Sequence, residues 1–236
     1  NPFDKDIIKR KSLNTKNAAT HEALEPEQVE KVLEEAARRD VDYRDLIVVG
    51  AQSGMRLGDA ATLEWESVGK SFIDIIPRKT QKRGNRARIP ITPTMRRLLK
   101  RRKKDCENSK YVIPKIAEEY SHNSSLVSQK CQNIFRAALE DKNLMSNLSG
   151  RCRQTPKFSF HSLRGTFMSL LASEEISVRD AKKILGWKSD KMEELYEKLL
   201  EKNKKKFDKK ALEMVERVSE FDMKIPEPPR KIPCSK

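Results

Sequence analysis

Four side chains late in the sequence, His161, Arg164, Trp187 and Tyr196, are of types that could share one chemical task. His161 and Arg164 stand at i and i+3, so a helix would carry both on one face. Trp187 closes a Gly-Trp pair, and Tyr196 follows it by nine positions. A guanidinium is planar, permanently charged and matched to phosphate oxygens. An indole can only donate its N–H, and a phenol becomes a nucleophile once it gives up its proton. Together these groups could hold a phosphate and attack it. Taken singly, each also has an ordinary reading: tyrosine as half-buried packing, tryptophan as core, H-x-x-R as a chance spacing.

The elements that would position them can be read in order. Pro26 favours a helix start, and Val29, Val32, Leu33 and Ala36 recur at helical spacing. A second helix is predicted over roughly Tyr43–Ser53, stopping at Gly54, and a third through Ala60, Ala61 and Leu63. The pattern then shifts to strands at Phe72–Ile76 and Arg88–Ile91, around a basic hairpin tip, Pro77 to Arg86. Pro93 begins another helix with Met95, Leu98 and Leu99 inward, and residues 100–110, rich in Lys and Arg, read as solvated. Ser128–Leu139 is amphipathic, and Lys142–Lys157 reads as a basic loop. Phe160, Leu163, Phe167 and Leu171 would anchor the helix of His161 and Arg164. Met192, Leu195 and Leu199 form the expected apolar stripe, with Tyr196 at its flank. Phe207–Val218 is a further amphipathic helix, and four prolines exclude regular structure from Ile225 onward.

The whole chain has 236 residues, 36% of them hydrophobic and 36% charged, which permits a real core under an ionic surface. Lys+Arg is 50 against Asp+Glu 35, a net charge of +15. That excess points to a polyanionic partner, because neutralising phosphates releases condensed counterions. Charge alone does not separate DNA, RNA and an anionic membrane. No run reaches the ~20 apolar residues of a membrane span. Cys106, Cys131, Cys152 and Cys234 are scattered, without metal-site spacing, and read as reduced thiols of a cytoplasmic protein.

Joined in order, these features resemble the catalytic domain of the tyrosine recombinases, the phage-integrase and Xer/Cre-like family. The family's late box, H-x-L-R, is matched by His161-Ser162-Leu163-Arg164, followed by Gly186-Trp187 and Tyr196. Its early box, T-G-x-R-x-x-E/D, is matched by Ser53-Gly54-Met55-Arg56-Leu57-Gly58-Asp59. Lys79 stands for the β-hairpin lysine, and Ile89-Pro90-Ile91 where V-P-L is usual. Two departures qualify the match: Trp187 replaces the commoner histidine, as in the Cre type, and Gly165 stands where many members carry histidine.

The resemblance implies a mixed α+β, mainly α-helical domain over residues 24–218, with a small three-stranded antiparallel sheet and a basic β-hairpin. Residues 1–23 would be a linker from an N-terminal core-binding domain outside this sequence, and 219–236 a Pro-rich tail. It implies Tyr196 as nucleophile, forming a 3′-phosphotyrosine bond without metal, cofactor or ATP. Arg56, Arg164 and Trp187 would stabilise the charge growing on the phosphate oxygens. His161 would help remove the tyrosine proton, neighbouring arginine charges favouring phenolate. Lys79, with Lys82 as rival, would protonate the leaving 5′ oxygen, and Asp59 would support the arginines. Lys82, Arg83, Arg86 and Arg88 would follow the DNA backbone. The implied partners are double-stranded DNA sites and further copies of the chain, a homo-tetramer on DNA with a monomer as the DNA-free alternative. The helix near Phe207–Val218 would dock on a neighbour or fold back on its own domain. A type IB topoisomerase, a telomere resolvase and an inactive DNA-binding protein remain as alternatives at this point.

Overall fold

The computed structural model describes residues 23–106, 108–139, 158–187 and 190–204, without the side chains of 82, 83, 191 and 202–204. The first helix, α1 (Pro26–Arg39), starts where proline's missing N–H is one the first turn leaves unbonded anyway. The Gln28 side chain accepts the Glu25 backbone N–H at 2.9 Å and closes that start. Asp40 caps α2 (Val41–Ser53) by accepting the Asp42 N–H at 2.8 Å. Helix α2 is buried almost all round, which makes it the centre of the domain. Gly54 ends it in the left-handed region at φ 61°, and a Cβ there would stand 2.7 Å from the Phe167 ring.

The short α3 (Leu57–Ala61) leads through a 3₁₀ turn, Trp65–Ser67, into β1 (Phe72–Ile75). It pairs antiparallel with β2 (Ala87–Pro90), Phe72 opposite Pro90 and Ile75 opposite Ala87. Ile73, Ala87 and Ile89 face the core. Among the described residues the sheet has two strands rather than the three expected; the place of a third is marked by an isolated bridge between Val68 and Ile73. The basic hairpin tip winds into a 3₁₀ turn, Arg78–Arg83, ended by Gly84 at φ 61°.

Five more helices and a short one complete the order: α4 (Pro93–Asp105), α5 (Pro114–His122), α6 (Ser124–Leu139), α7 (Phe160–Ser173), α8 (Val178–Leu185) and α9 (Asp190–Lys204). Thr92 caps α4, Ser159 caps α7 and Ser177 caps α8 with their hydroxyls. Helix α5 carried no clear sequence signal, its nine residues offering only Ile116 and Ala117 as buried positions. Apolar side chains from α1 to α6, the sheet and the first turn of α7 form the main core, with Phe160 and Leu163 reaching into it. The rest of α7 faces a second cluster of Phe167, Met168, Leu171, Ala172, Ala181, Leu185, Trp187 and Tyr196.

Two expectations about polar and apolar faces are corrected. Arg102 is not solvated: it is buried and bonds both Asp42, at 2.6 Å, and Asp45, while the partly exposed Arg101 reaches Asp45 at 2.6 Å. Two carboxylates sunk into α2 require such partners, since an isolated buried charge costs several kcal/mol. On α9, Leu195 faces solvent, and the inward stripe is the buried Tyr196 with the partly buried Met192, Leu199 and Leu200. Burial pushes the Cys131 thiol up to about 12, so it stays protonated. Among the described residues no helix is long and apolar enough to cross a membrane. Residues 1–22, the 142–157 loop, the helix expected at Phe207–Val218, the 219–236 tail, Cys152 and Cys234 lie outside the described residues.

Candidate active site

Arg164 enters the site because two helices end beside it. Its Nη1 donates to the Gly54 carbonyl at 2.6 Å and its Nη2 to the Leu185 carbonyl at 3.0 Å. Both acceptors lie at helix C-termini, α2 and α8, where carbonyls lack an intrahelical partner and favour positive charge. Gly54 and Gly186, each at φ 61°, end those helices and leave the carbonyls open. Arg164 thus bonds a carbonyl 110 positions earlier in the chain and is itself only 5% exposed.

Arg56 stands at the N-cap of α3, just beyond Gly54. Its charge acts on Arg164: burial first, then Arg56, lower the Arg164 guanidinium to about 10, still fully protonated at neutral pH. Arg56 Nη1 is buried without a hydrogen-bond partner and lies 4.0 Å from Asp59 Oδ2. The other Asp59 oxygen, Oδ1, accepts the Arg78 backbone N–H at 2.9 Å. Burial raises the Asp59 carboxyl above its ordinary value, against the Arg78 N–H and the charges of Arg56, Arg164 and Arg78. Arg56, Asp59 and Arg164 therefore act on one another as one electrostatic unit.

Trp187 follows Gly186 at the end of α8, where a Cβ on Gly186 would come 3.0 Å from Ala87 of β2. The indole is 4% exposed, and its Nε1 is buried with no hydrogen-bond partner. Arg56 Nη1 and Trp187 Nε1 are thus two buried donors without acceptors, an arrangement that costs about 1–3 kcal/mol each. His161, in the first turn of α7, is exposed, and its backbone N–H reaches Ser159 Oγ at 3.1 Å. Lys79 is exposed on the 3₁₀ turn. Arg86 is exposed, while Arg88 lies 4.5 Å above the Phe72 ring and 3.9 Å from Asp74. The side chains of Lys82 and Arg83 lie outside the described residues.

Tyr196 is the member the structure holds apart. It is wholly buried, its hydroxyl donating to the Ile176 carbonyl at 2.9 Å. Its ring sits 5.7 Å from that of Trp187, tilted by 55°. Arginine charges were expected to favour phenolate; instead burial, the cause acting among the described residues, pushes the hydroxyl up to about 12. The reason is register: α9 turns Tyr196 into the second cluster, among Phe167, Leu171 and Leu185. One contributor had no sequence motif of its own, the Arg78 backbone N–H. Adjacency to Lys79 was its only signal.

This helical domain with its small sheet is the fold of the tyrosine-recombinase catalytic domain. A lambda integrase dimer, residues 75–356, bound to a COC′ core site superposes with a TM-score of 0.57 at 19% identity, over 79% of this chain and 62% of that one. A lambda integrase tetramer bound to a Holliday junction matches at 0.55 and 20% identity, over 81% and 55%. XerA recombinase matches at 0.55 and 16% identity, over 91% and 68%. The chain thus spans about 62% of the length of the first of these relatives. No curated protein matches by sequence. The Phage integrase family profile matches residues 22–203, and the chain belongs to that family.

Proposed function

We propose that this chain is the catalytic domain of a site-specific DNA recombinase that cuts and rejoins strands through Tyr196. The observation that carries the reading is the bond of Arg164 to the Gly54 carbonyl, two residues before Arg56, with the Arg56 and Trp187 N–H groups buried and unpartnered. A phosphodiester would supply the missing acceptors. As phosphorus becomes pentacoordinate, charge grows on the non-bridging oxygens, and preorganised cations and donors stabilise that state most. The Tyr196 oxygen attacks phosphorus and gives up its proton with help from His161. The 5′ oxygen leaves with a proton from Lys79. The resulting 3′-phosphotyrosine bond keeps the energy of the phosphodiester, so a second strand's 5′ hydroxyl can reverse the step without ATP.

Tyr196 must first leave its pocket. Exposing an aromatic ring costs about 1.5–3 kcal/mol, and breaking its hydrogen bond about 1 kcal/mol more. A minor conformer of that energy is populated at about 0.1–1%, so DNA contacts and assembly have to supply the bias. Relatives solved on DNA, one of them a tetramer on a Holliday junction, support duplex sites and a homo-tetramer as the partners. Residues 24–218 would form the catalytic unit. The test is a nicked suicide duplex from which the cut strand diffuses away. Wild type should give a denaturation-resistant protein–DNA adduct, and Tyr196→Phe none; an adduct that survives Tyr196→Phe would falsify the nucleophile.

A further inference from the structure

The turn that carries Lys79 is docked on α3 by its preceding residue. The Arg78 backbone N–H donates to Asp59 Oδ1 at 2.9 Å, and Arg78 Nη1 reaches Thr62 Oγ1 at 3.4 Å. The Arg78 guanidinium also lies 5.8 Å from the centre of the Tyr120 ring. Tyr120 in turn sits against Gly58, where a Cβ would stand 2.6 Å from its hydroxyl oxygen. Asp59 is 8% exposed, and its second oxygen faces Arg56 at 4.0 Å. The two oxygens of one buried carboxylate therefore point at two different parts of the site.

We propose that Asp59 is a positioning residue for Lys79: by holding the Arg78 N–H it fixes the start of the lysine turn relative to Arg56. The inference rests on the recombinase reading above and extends it from the phosphate oxygens to the leaving group. Lys79 is exposed on a turn that the Arg78 side chain also steadies against Thr62 and Tyr120, while the Thr80 N–H on the Pro77 carbonyl at 2.9 Å holds its local shape. Without the Asp59 acceptor the turn keeps its shape and loses its place. A lysine displaced by about 1 Å delivers its proton poorly, which costs on the order of 10²-fold in rate. The same lesion leaves the arginines charged, so it differs from the loss of Arg56.

The leaving group separates the two effects. Replacing the bridging 5′ oxygen by sulfur gives a thiolate that departs without an acid, since thiols ionise near 8.5 and alcohols far above. A nicked duplex selected from a random library by adduct formation is made in both versions, and cleavage is timed for the full chain. Lys79→Ala should be slow on oxygen and recover at least 10-fold on sulfur. Asp59→Ala should recover similarly, whereas Asp59→Asn, which keeps an acceptor for the Arg78 N–H, should show the wild-type oxygen-to-sulfur ratio.

A second pair spares Asp59 altogether. Arg78→Pro removes the N–H that Arg78→Ala retains, and Pro77, at φ −58° and ψ 130°, has the backbone that a following proline requires. Arg78→Pro should recover on sulfur, and Arg78→Ala should keep the wild-type ratio. If Lys79→Ala recovers on sulfur while Asp59→Ala and Arg78→Pro do not, the tether is wrong and the recombinase reading stands. If wild type forms no adduct from the library, the recombinase reading fails and the tether with it.

Discussion

At the scale of single residues, the site divides into groups set in place and one held back. Arg164 is locked by two helix ends, whereas Tyr196 donates to a backbone carbonyl inside an apolar cluster. Its titration gives a direct measure of that burial. The hydroxyl stands at about 12 in the folded chain against 10.0 when free. A raised folded value means the native state keeps its proton where the unfolded chain has lost it. The contribution to stability is therefore complete below pH 10, declines above it, and is gone once pH has risen through about 12. Tyr43, raised by burial and by Glu119, adds a decline of the same sign, so the informative quantity is a difference. Urea midpoints at pH 9 and 11.5 should fall less for Tyr196→Phe than for wild type. Equal falls would mean the hydroxyl is solvated in the folded protein.

At the scale of elements, the glycine ends of α2 and α8 do the positioning, and they were unequally legible. A left-handed residue after an apolar helix is written as glycine, so Gly54 marked the stop of α2 in the sequence, whereas Gly186 was read only as half of a Gly-Trp pair. What no periodicity could indicate is that their freed carbonyls meet on one guanidinium, since that depends on how two helices far apart in the chain converge. Gly54→Ala tests the joint. It forces a side chain into the left-handed region and drives a Cβ to 2.7 Å from Phe167 and 2.8 Å from Leu185. Strain and overpacking together should cost roughly 2–4 kcal/mol. Gly84→Ala, at the same φ of 61° with nothing within 4 Å, should cost only the backbone share, about 1–2 kcal/mol. Chemical denaturation of the two variants compares these directly; equal losses would show that Gly54 is not packed against α7. The same local logic explains where sequence reading stopped. The tip 77–86 has charge and one glycine, which signal exposure and a turn but not a 3₁₀ winding docked through Arg78. On α9, Leu195 and Tyr196 are both plausible inward positions, and only packing against α7 and α8 selects the tyrosine.

At the scale of the whole molecule, a net charge of +15 overstates the cations available to a polyanion. Arg101 and Arg102 were legible as basic residues, and their neighbours in the sequence are basic too. Asp42 and Asp45, more than fifty positions away, take them inward. A charge block reads as solvated unless its buried counter-charges are known, and those appear only in the fold. The distinction has a measurable form in the proposed DNA complex. Each phosphate neutralised by a surface cation adds roughly 0.9 to the slope of log affinity against log salt. Arg86→Ala, removing an exposed cation beside β2, should weaken binding and reduce that slope by about 1. Arg101→Met should leave the slope unchanged while lowering stability by about 1.5–3 kcal/mol, the worth of a charged hydrogen bond to buried Asp45. Anisotropy titrations of a labelled duplex at rising KCl, beside urea denaturation of the same variants, separate the two. A flattened slope for Arg101→Met would put that arginine on the DNA and leave Asp45 to Arg102 alone.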